Sequence, residues 1–95
     1  MKTNPFFETF VSHLTELPSQ AKVTQFLSAL LTPKEIEEIA NRLEIIRLLK
    51  EGKSQRDVAQ QLGVGIATVT RGAGVLKSGK LDGLLLDPID PSEKP

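Results

Sequence analysis

The sequence predicts a small all-α protein built as a single helical domain. Its 95 residues, of which 39% are hydrophobic and 25% charged, suit one globular unit. Apolar residues recur at helical spacing through most of the chain, and no segment alternates with the two-residue period of a half-buried strand. We therefore expect one helical domain over residues 1–80. Residues 81–95 are expected to form a partly disordered tail, because proline and charged residues dominate its end.

The first two helices have recognisable starts. Asn4 followed by Pro5 predicts the start of the first helix, since proline is favoured at the first helical position, and Pro18 is expected to end it. Ser19 is a suitable N-cap for the second helix. Both helices carry apolar residues at helical spacing, so we assign them to the hydrophobic core.

The third helix has the clearest predicted start. Thr32 is a suitable N-cap, Pro33 occupies the first helical position, and Glu35 completes a capping box in which two side chains satisfy free amide groups. Gly52 favours the left-handed backbone that ends a helix. These residues predict a helix from Pro33 to Glu51.

This helix carries two apolar stripes. The first consists of Ile36, Ile39, Leu43 and Ile46, and the second of Ile45, Leu48 and Leu49. A surface helix needs only one stripe to pack within its own chain. Because a chain of this size buries little surface alone, we expect the second stripe to contact another subunit and residues 4–53 to form the core of a homodimer.

Residues 54–77 predict a helix-turn-helix. Its two short helices run over Ser54–Leu62 and Ile66–Lys77, with Ala59 small where they would cross and Gly63 able to adopt the positive φ of a tight turn. The apolar contacts between the helices are assigned to Val58, Leu62, Val64 and Val69. The second helix of such a unit lies in the major groove when the protein binds DNA.

The charges support this interpretation. The formal net charge of the whole chain is zero, but residues 41–80 carry eight Lys or Arg residues against three acidic residues. This basic segment contains the predicted helix-turn-helix. Two solvent-facing helices joined by an ordinary glycine turn are the alternative, and the joint placement of small, glycine and apolar residues favours DNA binding over it.

Other functional classes find little support. The chain has no cysteine and one histidine, and no set of titratable groups converges, so we predict neither an enzyme nor a metal site. Ser12 and His13 are adjacent on a helix and therefore point apart. No apolar run approaches the roughly 20 residues of a membrane span. We expect a cytoplasmic protein without a membrane partner.

From about Leu30 to Lys77 the sequence closely resembles the bacterial Trp repressor family. The resemblance rests on Leu31-Thr32-Pro33, Arg42, Gly52, Ser54-Gln55-Arg56, Gly65-Ile66-Ala67-Thr68-Val69-Thr70-Arg71-Gly72 and Leu76-Lys77. It implies an intertwined all-helical homodimer that represses transcription by binding double-stranded operator DNA, with L-tryptophan as corepressor.

The resemblance also implies a site for a small amino-acid ligand. Arg42 and Arg71 would sandwich the indole ring, and Arg71 would also pair with the carboxylate, roles that suit a planar guanidinium. Gly72 would leave room for the ring. Val75 stands where the family has a serine near the ligand ammonium group.

The other side of this site would come from the second subunit. The partner subunit's Thr32 would contact the ligand carboxylate. The backbone around the partner's Ala29 and the partner's Leu31 would accept hydrogen bonds from the ammonium group. Both subunits would therefore be needed for one complete site.

The DNA contacts implied by the resemblance lie on the helix-turn-helix. They are Gln55, Arg56, Gly65, Ile66, Ala67, Thr68, Thr70, Arg71 and Lys77. Gly72 and Gly74 each weaken their helix by about 1 kcal/mol relative to alanine, so we expect ligand binding to order it.

Two alternatives stay open. The family motif continues with Ser, Asn and Ser where this chain has Ala73, Gly74 and Val75, so a related DNA-binding regulator with another ligand, or with none, is the first alternative. The second is a helical dimerisation or adaptor module that uses the third helix for protein contact.

Overall fold

A computed structural model describes residues 4–85 of the chain, and this part contains five helices and no strand. The helices are α1 (Pro5–Glu16), α2 (Gln20–Leu30), α3 (Pro33–Lys50), α4 (Gln55–Leu62) and α5 (Ile66–Lys77). The all-α prediction is confirmed. The chain divides into two compact units, one ending at Glu38 and the other beginning at Ile39. Residues 81–84 form turns, and most of the predicted tail, residues 86–95, lies outside the described residues.

The first unit contains α1, α2 and the start of α3. The Asn4 side chain caps α1 by accepting a 2.9 Å hydrogen bond from the Phe6 amide, and the Ser19 hydroxyl caps α2 by accepting one from the Lys22 amide at 3.2 Å. Phe26 of α2 stacks on His13 with 5.6 Å between ring centroids. No residue of α1 or α2 is buried, so a single chain does not give these two helices the core packing that the sequence predicts.

Helix α3 begins with the predicted capping box. The Thr32 amide donates to Glu35 Oε1 at 2.8 Å, and the Glu35 amide donates to Thr32 Oγ1 at 3.1 Å. The helix ends at Lys50, one residue earlier than predicted. Gly52 then adopts a φ of 101°, which lets the Lys53 amide donate back to the Leu48 carbonyl.

The second unit has a small core shared by α3, α4 and α5. Its buried residues are Ile45, Leu48, Val58 and Val69, with Leu49, Ala59, Leu62 and Val64 packed against them. The predicted apolar contacts of the helix-turn-helix are thereby confirmed. A fully buried aliphatic side chain contributes about 1.5–3 kcal/mol, so these contacts fix α4 and α5 on the C-terminal half of α3.

The structure corrects the assignment of the two α3 stripes. The second stripe is filled from within the chain, because Ile45 and Leu48 pack against Val58 and Val69. The first stripe stays exposed over most of its length, with 53% of Ile39 accessible to solvent. The stripe that the sequence assigned to another subunit is therefore the one buried within the described residues, and contact of the exposed stripe with a second subunit stays a prediction.

The turn between α4 and α5 has the predicted geometry. Gly63 ends α4 with a φ of 66°, and the Val64 amide donates to the Ala59 carbonyl at 3.1 Å. Gly65 precedes the first residue of α5, so the connection is only three residues long. The short turn keeps the two helices in contact and presents α5 on the surface.

Candidate functional site

A cleft of about 290 Å³ lies along one face of α5. It is lined by Arg42, Thr68, Arg71, Gly72 and Val75. The four residues from α5 have the three- and four-residue spacing of one helix face. Arg42 comes from α3, so the core that fixes α5 on α3 also brings the two arginines to one cleft.

The charge of the cleft is strongly asymmetric. Two guanidinium groups line it and no carboxylate does. Within residues 4–85, neither Arg42 nor Arg71 takes part in a salt bridge. The ion pair in this part of the chain joins Arg47 to Glu44 at 2.6 Å, and neither of these residues lines the cleft. Guanidinium groups stack on aromatic rings and form paired hydrogen bonds with carboxylates. The cleft therefore suits an aromatic or other planar ligand that carries a carboxylate.

Gly72 has a packing role that the sequence did not reveal. It is buried, and a Cβ atom added there would lie 2.7 Å from Cγ2 of Ile45. That distance is far shorter than van der Waals contact, so the missing side chain lets α5 approach α3 closely. Gly74 differs, because an added Cβ would have nothing within 4 Å.

Thr68 lines the cleft although the sequence assigned it to DNA alone. It lies one turn before Arg71 and Gly72, and the same face continues to Val75. The helical spacing of these four positions was the feature that would have placed Thr68 with the other three. Arg71, predicted for both ligand and DNA, lies in the cleft and is also exposed.

The residues predicted to contact DNA lie on one continuous segment of the helix-turn-helix. Those exposed to solvent are Arg56, Gly65, Ile66, Ala67, Thr68, Thr70, Arg71 and Lys77. Gln55, the first residue of α4, is half-buried and accepts a 2.8 Å hydrogen bond from the Thr70 hydroxyl. This contact joins α4 to α5 at the surface.

Ala29, Leu31 and Thr32 lie in the first unit, around the junction of α2 and α3. Thr32 is engaged in the capping box, where hydrogen bonds from its backbone and side chain lower the pKa of Glu35 below its ordinary value of 4.5. The family resemblance assigns these three positions to the cleft of a partner subunit, and that role stays a prediction.

Within residues 4–85, no group of three or more His, Cys, Asp or Glu side chains is arranged to hold a metal ion. No helix in the described part of the chain combines the length and apolar character needed to cross a membrane.

The fold and the cleft together define a class, the helix-turn-helix proteins with an arginine-lined cleft along the second helix of the motif. The sequence model of the family described as "Trp repressor protein" matches residues 6–83. Because this match covers most of the chain, the chain belongs to the Trp repressor family.

Similar proteins carry the same family name. A "Trp operon repressor homolog" of Vibrio vulnificus is 46% identical over 68 residues, which are 70% of this chain and 64% of that protein. The one of Vibrio cholerae is 45% identical over 64 residues, 66% of this chain and 62% of that protein. The one of Actinobacillus succinogenes is 38% identical over 72 residues, 75% of this chain and 71% of that protein. The chain thus spans less than two thirds of the length of the two Vibrio relatives.

Proposed function

We propose that this chain is a non-enzymatic transcriptional repressor that binds operator DNA as a homodimer, with L-tryptophan as its corepressor. The observation that carries the proposal is the cleft along α5, where Arg42 and Arg71 lie without a carboxylate between them. The names of the similar proteins and the family membership support the same function.

The cleft matches the chemistry of an aromatic amino acid. The guanidinium groups of Arg42 and Arg71 stack on the two faces of the indole ring, and Arg71 also pairs with the carboxylate. A volume of about 290 Å³ is close to the lower end, about 300 Å³, of small-molecule sites. The partner's Thr32, the partner's Ala29 and the partner's Leu31 complete the proposed site.

Gating follows from where the ligand binds. Four of the five lining residues belong to α5, the same helix that presents the proposed base-contacting side chains. A ligand that bridges α3 and α5 stabilises one orientation of α5 over others. The difference in ligand affinity between these orientations sets how far the population shifts.

The DNA contacts divide into two sets. The N-terminal half of α5, with Ile66, Ala67 and Thr68, reaches base edges in the major groove, as the second helix of a helix-turn-helix does. Gln55, Arg56 and Lys77 contact phosphates, which position the protein but do not specify sequence.

The homodimer accounts for apolar surface that one chain leaves exposed. Neither α1 nor α2 contains a buried residue, and even the large apolar side chains of Phe6 and Phe7 are 81% and 60% exposed. Large contiguous apolar surfaces on a small protein mark interaction sites. A second copy of the chain, intertwined through α1, α2 and the exposed stripe of α3, covers them.

The decisive experiment compares Arg71→Ala with Arg56→Ala. Binding to a fluorescently labelled palindromic duplex selected by the wild-type protein is measured with and without L-tryptophan. Wild-type binding should rise with L-tryptophan and fall steeply with salt, because neutralised phosphates release counterions. Arg71→Ala should lose both ligand response and duplex binding, whereas Arg56→Ala should weaken duplex binding and keep its ligand affinity.

An unchanged ligand affinity in Arg71→Ala would refute the assignment of the cleft. A wild-type protein that binds no duplex at low salt would refute the repressor and leave the adaptor module as the explanation of the exposed apolar surface.

One observation favours a second candidate. Val75 gives the cleft an aliphatic wall with no hydrogen-bond acceptor for an ammonium group. The same DNA-binding regulator would then respond to a different planar carboxylate. Duplex binding that is enhanced by indole-3-propionate but not by L-tryptophan would favour this second candidate over an L-tryptophan-dependent repressor.

A further inference from the structure

The hydrogen bond between Thr70 and Gln55 links two elements that the sequence treats as separate DNA contacts. Thr70 Oγ1 lies 2.8 Å from Gln55 Oε1 and 3.0 Å from the Ile66 carbonyl oxygen. Among residues 4–85 it is the one side-chain to side-chain hydrogen bond that joins two different helices. It connects the first turn of α4 to the middle of α5 across 15 positions of sequence.

The polarity of this contact determines what each group can offer to DNA. A threonine hydroxyl carries a single hydrogen, and of the two protein oxygens within donating distance the Gln55 amide oxygen, at 2.8 Å, is the nearer. The Thr70 hydroxyl therefore has no second hydrogen to donate to a phosphate oxygen. The Gln55 amide, in contrast, has its oxygen engaged and keeps both hydrogens of its NH₂ group.

Phosphate oxygens accept hydrogen bonds and do not donate them. A freely rotating glutamine would present its amide oxygen to the backbone about as often as its NH₂ group, and the oxygen would repel the phosphate. Thr70 removes this ambiguity by holding the oxygen on the protein side. The contact thus prepares Gln55 as a donor before DNA arrives, which lowers the ordering cost of binding.

We propose that Thr70 is a positioning residue that acts on DNA through Gln55, and that Gln55 donates from its NH₂ group to a backbone phosphate. This inference rests on the proposed DNA-binding function and assigns a role within it. It also changes the role given to Thr70 by the sequence, from a direct contact to an indirect one.

A double-mutant cycle tests the inference. Four proteins are titrated into a labelled duplex at low salt with saturating L-tryptophan: the wild type, Thr70→Val, Gln55→Ala and the double variant. The duplex has a mixed sequence, since a phosphate contact does not depend on sequence. Thr70→Val keeps the shape and β-branching of threonine and removes the hydroxyl. Each single variant should weaken binding by about threefold to tenfold, the loss expected for one hydrogen bond. Thr70→Val should have no further effect in the Gln55→Ala background.

A conservative variant and a DNA-free measurement separate positioning from general damage to the fold. Thr70→Ser keeps the hydroxyl and should bind duplex like the wild type. Without DNA, the NMR order parameter of the Gln55 side-chain NH₂ group should fall in Thr70→Val and stay unchanged in Thr70→Ser.

The outcomes distinguish failure of the role given to Thr70 from failure of the proposed DNA-binding function. Suppose that wild-type protein binds duplex and that the losses of binding free energy in the two single variants add up in the double variant. Thr70 then contacts DNA independently of Gln55, so this inference is wrong while the proposed function stands. An unchanged Gln55 order parameter in Thr70→Val also overturns the inference alone. If wild-type protein binds no duplex, the proposed function and the inference both fail.

Discussion

The Glu35 carboxylate accepts a hydrogen bond from the Thr32 amide at 2.8 Å, and this contact stabilises its charged form. Hydrogen bonds from the backbone and side chain of Thr32 lower the pKa of Glu35 below 4.5. A carboxylate with a lowered folded-state pKa stabilises the fold above its ordinary pKa. That contribution is lost as the pH falls below 4.5 and through the lowered value.

Replacing Thr32 tests this directly. We expect the pKa of Glu35 to rise towards 4.5 in Thr32→Ala, because the side-chain hydrogen bond is lost while the backbone one is kept. An NMR titration of the Glu35 side-chain carboxyl carbon measures the change. Thr9→Ala is the control, since Thr9 hydrogen-bonds only within α1. An identical Glu35 titration in wild-type protein and Thr32→Ala would contradict the assigned cause.

Single residues also show where sequence analysis succeeds and where it stops. Asn4, Ser19 and Thr32 were predicted as caps because capping depends on residues within one helical turn. The Gln55–Thr70 hydrogen bond was not predicted, because it depends on how two helices pack across a turn. Thr68 was assigned to DNA alone, although its helical spacing to Arg71, Gly72 and Val75 is a local pattern that places it on the cleft face.

At the level of the element, α5 contains two glycines with opposite surroundings. Gly72 is buried against Ile45, whereas Gly74 is exposed with open space around it. Gly74→Ala should therefore stabilise the protein by about 0.5–1 kcal/mol, because alanine restricts the unfolded chain and suits a helix. Gly72→Ala should destabilise it by about 1–3 kcal/mol, because the new methyl group collides with Ile45.

Urea unfolding followed by circular dichroism at one fixed protein concentration measures both changes. Each variant is the control for the other, since the same methyl group is added to the same helix two positions away. Equal effects of the two substitutions would show that the 2.7 Å between a Cβ atom added at Gly72 and Cγ2 of Ile45 does not limit the packing of α5.

Gly74→Ala also tests whether a weakened α5 underlies gating. If ligand-free α5 samples orientations that do not bind DNA, a more stable helix should bind duplex better without L-tryptophan. We expect the ratio of duplex affinities with and without L-tryptophan to shrink by about fivefold, the equivalent of about 1 kcal/mol. Fluorescence anisotropy of a labelled duplex measures this ratio. An unchanged ratio would show that helix stability and gating are separate.

The elements themselves were largely predictable, but their packing was not. The bounds of α4 and α5 follow from Ser54, Gly63 and Gly65, whose conformational preferences are local. The two stripes of α3 look equivalent on a helical wheel. Only the packing of α4 and α5 decides that Ile45 is buried and Ile39 exposed.

For the whole molecule, the exposed stripe of α3 predicts self-association. Ile36, Ile39 and Leu43 are 36%, 53% and 49% exposed and share one face of the helix. Ile39→Lys should weaken the proposed dimer by roughly a hundredfold, because it places an unpaired charge in an apolar interface. Sedimentation velocity over a range of protein concentrations measures the effect.

Glu38→Lys is the matched control for this prediction. It introduces the same side chain about 100° around α3 from Ile39 and outside the apolar stripe, so it should leave the dimer intact. Wild-type protein that sediments as a monomer at every concentration would refute the proposed homodimer. Equal behaviour of Ile39→Lys and Glu38→Lys would place the interface elsewhere.

L-tryptophan fluorescence measures most directly whether a planar ligand that carries a carboxylate binds between Arg42 and Arg71, as proposed. The chain contains no Trp and no Tyr, so added L-tryptophan is the sole indole fluorophore. Its anisotropy should rise to saturation with wild-type protein and with Arg56→Ala, and stay at the free-ligand value with Arg71→Ala. Anisotropy that stays at the free value with wild-type protein at millimolar concentration would contradict L-tryptophan as the ligand, and an equal rise with Arg71→Ala would contradict the cleft as its site.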